Sequence, residues 1–260
     1  MKPEELKGDN LRITRTILGS MFKKASLVLF LLGLMINRAH AIPSLQLDIE
    51  GGIYDSVTQT VVSSGTSFTL YAFLIPDAGA PLGDTYYISA GLTPAVKQPT
   101  SLGSFVFDGT TIDATNDMVY GSPPVDTIQT HDGGDLSPHS VYPTYFQQLA
   151  FTFDPNNKAI AYNTQDNAGA GPTADLNGTM YYNAFTVDTS LLDSGYQIHF
   201  DLYSTQSGRP AATDIDIKSF APFSHDAESC TNCTQVPEPA TLLLLGSGLV
   251  AFGFAARRHR

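Results

Sequence analysis

Leu45-Gln46-Leu47-Asp48-Ile49-Glu50 sets the rhythm of this chain: apolar and polar residues alternate, and Gly51-Gly52 follows, where a turn can use positive φ. A period of two puts the leucines and isoleucine on one face of a strand and the amide and carboxylates on the other. Working outward, residues 67–75, 85–92, 103–107, 145–153, 159–162, 180–187, 196–203 and 214–220 are short aromatic and β-branched stretches of the same kind. Pro76-Asp77-Ala78-Gly79, Asp108-Gly109, Asp154-Pro155-Asn156-Asn157, Asn177-Gly178 and Gly208-Arg209-Pro210 separate them with turn chemistry. About nine to eleven strands with turns this frequent predict an all-β domain, an antiparallel β-sandwich of jelly-roll or immunoglobulin/cohesin-like type. One helical turn is predicted at 189–194, capped by Asp188 or Thr189 and stopped by Gly195.

Both ends of the chain read as addresses. Lys23 and Lys24 precede an apolar run at 25–36, then Asn37, Arg38 and the small-x-small pattern Ala39-His40-Ala41. This is the pattern of a secretory signal peptide cleaved after Ala41, with translation expected to start at Met21 and export to run through the Sec machinery. At the other end, Val236-Pro237-Glu238-Pro239 stands before the uncharged run 240–256, and Arg257-Arg258-His259-Arg260 closes the chain. As a helix the run is about 26 Å long, near the lower limit for a hydrocarbon core of about 30 Å. It predicts a C-terminal transmembrane helix with its arginines on the cytoplasmic side and the 42–235 domain outside.

Pro237-Glu238-Pro239, the short Leu-rich span and the terminal arginines together resemble the PEP-CTERM sorting signal of Gram-negative envelope proteins. The resemblance implies recognition by an exosortase, removal of the tail and delivery to the cell surface or extracellular matrix. Two prolines fit that role, because they hold the entering segment extended. The alternative is an ordinary tail anchor in which Pro239 and Glu238 start the helix. A second resemblance lies in 82–90 (LGDTYYISA), 163–166 (NTQD), 179–188 (TMYYNAFTVD) and 220–227 (FAPFSHDA), which are similar to the exported choice-of-anchor domains of the N group. That resemblance implies a domain separable from its address and transfers no site residue.

From 42 to 235 four basic side chains (Lys97, Lys158, Arg209, Lys218) face twenty-one acidic ones, a net charge of −17. Such a surface repels phosphate backbones and excludes nucleic acid as a partner. It suits either plain solubility or divalent cations. Asp214 and Asp216 alternate on one predicted strand and are candidate calcium ligands. The long segment 121–144 carries His131, Asp132, Asp135 and His139, a candidate metal set or a solvated loop; Gly133-Gly134 and Pro138 forbid a single helix that would gather them. A second polar loop, 163–177, admits the same two readings. Cys230 and Cys233 read as a disulfide or a thiol pair, since neither a redox helix nor a second zinc pair accompanies them.

Nucleophile-elbow, zincin, phosphate-loop and dinucleotide motifs are absent from the sequence, and the chain is expected not to be an enzyme. With no Trp, a sugar platform would fall to Tyr, and Tyr86-Tyr87 and Tyr181-Tyr182 each place one ring on either side of a strand. The function expected is a structural or adhesive component of the surface or of an extracellular polysaccharide matrix. The alternatives are a calcium-assisted carbohydrate-binding module and, third, a polysaccharide hydrolase.

Overall fold

The computed structural model describes residues 41–125, 136, 141–207 and 215–230. Its strands are β1 (Leu45–Ile49), β2 (Ile53–Asp55), β3 (Thr60–Val62), β4 (Ser67–Leu74), β5 (Tyr86–Thr93), β6 (Ser104–Phe107), β7 (Thr110–Asp113), β8 (Val119–Gly121), β9 (Thr144–Phe151), β10 (Lys158–Ala159), β11 (Met180–Asp188), β12 (Gln197–Ser207), β13 (Ile215–Phe220) and β14 (Asp226–Glu228). The only helical element among the described residues is a 3-10 turn, Phe223–His225. None is long and apolar enough to cross a membrane, and 240–256 lies outside the described residues.

The strands form two sheets, ordered β1-β4-β11-β6-β7 with β10 beside β11, and β2-β3-β14-β12-β5-β9-β8 with β13 beside β12. All pairings are antiparallel except β14 with β3, so the second sheet is mixed. The alternation of β1 works as its sequence dictates: Leu45, Leu47 and Ile49 enter a cluster shared with Leu70 of β4, Ile88 of β5 and Phe200 of β12. Both sheets therefore contribute to one interior. The Gly51-Gly52 turn does not close a hairpin; it passes the chain from β1 in the first sheet to β2 in the second.

Two expectations are corrected. The helical turn at 189–194 is absent, because its backbone groups find partners elsewhere: Thr189 N–H donates to Thr66 O (2.8 Å), Asp193 N–H to Leu102 O (3.0 Å), and Leu191 O accepts from Ser104 N–H (3.0 Å). The stretch 159–162 extends no strand beyond Ala159; it peels away to lie over the outer face of the first sheet, where Tyr162 packs with Phe73 at 5.3 Å between ring centres.

Neither outer face follows the rule that one side of an antiparallel sheet faces water. Gln46 and Asp48, the polar side of β1, are buried beneath 160–171. On the second sheet a separate cluster of Leu136, Val141, Tyr142 and Phe146, with Ile217 and Phe223 against it, covers the face turned away from the shared interior.

Candidate functional site

The centre of the second sheet supplies the candidate site. Along β12, Ile198, Phe200 and Leu202 point into the shared interior, which sends His199 and Asp201 to the opposite face. Both are buried there, 3% and 1% exposed. Asp226, also 1% exposed, comes from β14, whose pairing places Glu228 beside His199 and Ala227 beside Phe200. Continued by one residue, that register sets Asp226 across from Asp201.

His199 Nε2 stands 3.6 Å from Asp201 Oδ1 and 3.8 Å from Asp226 Oδ2. These are ion-pair separations, too long for hydrogen bonds. Tyr142 donates to Asp201 Oδ2 at 2.6 Å, and its hydroxyl lies 2.7 Å from Ser89 Oγ. Its ring lies over Gly91, where a Cβ would meet Tyr142 Oη at 3.1 Å, so the absence of a side chain makes room for the tyrosine. Ser89 thus meets a phenol and not an imidazole, and the arrangement is not that of a serine activated by histidine.

Burial is the largest single influence on His199 and lowers its pKa; the Asp201 carboxylate and then Asp226 outweigh it and push the value up to about 10. Burial, reinforced by the Asp201 charge, holds the Tyr142 phenol well above its ordinary range, so it stays a neutral donor.

A second buried polar centre serves a loop. Asp48 Oδ1 accepts from Ile49 N–H (2.9 Å) and Gly169 N–H (2.8 Å), and Oδ2 from the Tyr162 hydroxyl (2.8 Å) and Gly171 N–H (3.3 Å). Gln46 donates to Tyr162 O and accepts from Thr164 N–H. At Gly169 φ is +79°, and a Cβ would meet Gly52 O at 2.3 Å. The backbones therefore touch where the turn meets the loop. The 163–177 segment is thus pinned at its first half rather than solvated throughout.

A cleft of about 380 Å³ opens between the sheets, lined by Phe107, Phe151 and Phe185, with Asp108, Thr110 and Asn183 among its polar residues. The Phe185 ring sits 5.2 Å from Phe107 and 5.1 Å from Phe151.

Most residues singled out in the sequence are not brought together here. His131, Asp132, Asp135, His139, Asp214, Cys233, Ala39 and the sorting residues Val236, Pro237, Glu238, Pro239, Arg257 and Arg258 lie outside the described residues; Ala41 is exposed at their edge. Asp216 sits half-buried on β13, paired with Gln206 of β12. Cys230 is buried and disulfide-bonded, with its N–H donating to Ser63 Oγ at 2.9 Å. Of the tyrosine pairs, Tyr86 alone is fully buried, and Tyr87, Tyr181 and Tyr182 are half-buried. Tyr86 is core, Tyr87 stacks on Tyr203 at 5.8 Å, Tyr181 lies under the Lys158 ammonium, and Tyr182 packs on Tyr71 and Phe73. The cluster that does form was missed, although His199-x-Asp201 repeats the alternating pattern noticed at Asp214-x-Asp216.

The chain thus has an all-β exported-type domain ahead of a terminal address. Residues 235–258 match the PEP-CTERM protein-sorting motif, which marks the protein for passage across the membrane and processing by an exosortase. No similar curated protein and no similar solved structure is found for the chain.

Proposed function

We propose that the chain is a structural or adhesive component of the cell surface or extracellular polysaccharide matrix of a Gram-negative bacterium, carried there by its PEP-CTERM tail. In this reading the two sheets form a β-sandwich, jelly-roll or immunoglobulin/cohesin-like, of the choice-of-anchor N type, and 240–256 is a membrane helix only until the tail is removed. The match at 235–258 carries the reading. It is supported by the acidic domain, net −17 from 42 to 235, which keeps an exported protein soluble, and by Asp48 and Tyr142, whose hydrogen bonds tie segments across the two outer faces. The test is intact mass and fractionation of the native chain beside Pro237→Ala with Pro239→Ala. The wild type is expected outside the inner membrane without its tail, and the double variant in that membrane with Arg260 retained. Wild-type chain that keeps Arg260 and stays in the inner membrane sinks the reading.

The cleft favours one second reading, a glycan-binding module. The half-buried Phe151 ring, backed by Phe107 and Phe185, offers an apolar wall to a sugar ring while Asp108, Thr110 and Asn183 offer hydroxyl partners. Phe151→Ala is expected to weaken binding of a soluble neutral polysaccharide at least about tenfold by calorimetry, consistent with the loss of one ring contact. Equal affinity in the variant removes the cleft from consideration.

A further inference from the structure

We propose that His199, Asp201 and Asp226 bind a divalent transition ion of zinc type, clasping β14, the last strand among the described residues, to the centre of the second sheet. The donors are one imidazole nitrogen and two carboxylate oxygens, all within 4.8 Å of one another. Zinc holds nitrogen and oxygen ligands at about 2.0–2.1 Å, so two ligands at the tetrahedral angle stand about 3.4 Å apart. The gaps of 3.6 and 3.8 Å are close to that edge, and a small inward movement brings all three atoms onto one ion.

The backbone sets this geometry. His199 and Asp201 share a face of β12 as alternate residues, and β14 lies beside β12 in the register that brings Asp226 opposite Asp201. Like charges directly opposite on neighbouring strands repel. Without an ion the His199 imidazolium offsets that repulsion; a dication would take the place of its proton, with two carboxylates matching the charge of the ion and the imidazole then neutral. The Tyr142 hydroxyl, donating to the outer oxygen of Asp201 and backed by Ser89, is the kind of second partner that orients a ligating carboxylate.

The donor set selects the ion. Imidazole suits zinc and its neighbours, whereas calcium and magnesium prefer oxygen alone. The site is buried, which leaves no room to admit a substrate, and with three protein donors a water would complete the tetrahedron. Its position gives the ion a task. β14 is the last strand before Cys230 and the sorting tail, and an ion held between β12 and β14 fixes that end of the domain. The inference is independent of the glycan and sorting readings.

The test uses the full-length chain, stripped with EDTA in detergent, then titrated with Zn²⁺ while heat and thermal unfolding are followed. One ion per chain is expected, with an unfolding temperature raised by about 5–10 °C at a hundredfold excess over Kd and restored by chelator. Co²⁺ in its place should show visible bands of a four- or five-coordinate nitrogen-oxygen site. His199→Gln should bind at least about a hundredfold more weakly, while Asp216→Asn, outside the cluster, should bind as the wild type does. Should His199→Gln fail to fold, Asp226→Asn takes its place under the same criterion. No stoichiometric Zn²⁺ uptake and no thermal shift in the wild type overturns the proposal. So does uptake that survives His199→Gln in a folded chain, which places the ion elsewhere.

Discussion

Asp48→Ala is expected to lower the unfolding free energy by about 3–5 kcal/mol at pH 7, because it strips the acceptor from several buried donors at once. Asp48 is fully buried, and its oxygens take the Gly169 and Gly171 amides and the Tyr162 hydroxyl from the segment lying over the first sheet. Alanine leaves those groups without a partner and opens a cavity too small to hydrate them all. Asparagine should fail in the same direction by less, since one of its two positions becomes a donor facing donors. Urea denaturation checks the energy, and hydrogen exchange at Gly169 and Gly171 checks the place. Fast exchange at those amides is expected in the variant before global unfolding. A loss below about 1 kcal/mol would show that the segment is held by its apolar contacts alone.

The pH dependence has a definite sign. Burial, the largest influence, raises the Asp48 pKa above 3.8, although the hydrogen bonds from Gly169, Tyr162, Gly171 and Ile49 act to lower it. A carboxyl with a raised folded pKa contributes stability that is full below the unfolded value and lost as pH climbs through the folded one. The stability gap between wild type and Asp48→Ala should therefore narrow as pH rises from about 4 to 7.

Asp48 also shows how far the sequence could be read. The alternation Leu45 to Glu50 correctly assigned its inner face, and the long aromatic stretches became β4, β5, β9, β11 and β12 with ends displaced by a few residues. Period two says which residues share a face, but it cannot say what covers the polar one. Asp48 and His199 look solvent-facing by pattern and are buried because 160–171 and the Tyr142 segment return over them from far along the chain. The short strands escaped for a related reason. Asp226-Ala227-Glu228 has the composition of a turn, yet β3 and β12 on either side give it a full set of strand partners. In a domain with twenty-one carboxylates, the two beside His199 carried no local mark that separated them from solubilising charge.

Phe200→Ala carries the second large effect, about 3–5 kcal/mol, and it tests whether the two sheets share one core. Phe200 is fully buried on β12 of the second sheet, and its ring meets Phe68 edge-on and Phe107 tilted, each with centroids 6.3 Å apart, on the first. Its cross-strand partners are Ala90 on β5 and Ala227 on β14. Two methyl groups cannot swing in to fill the space a phenyl leaves, and both belong to paired strands that resist moving. The cavity therefore persists, and the cost belongs in the upper part of that range. Phe200→Leu should recover about half of it, since leucine restores much of the volume without the two ring contacts. Denaturant midpoints with unchanged slope would report the loss as one of packing rather than of compactness. If instead Phe200→Ala cost less than about 1 kcal/mol, the sheets would be stable as separate layers, and neither a sandwich nor a cleft formed between them could stand.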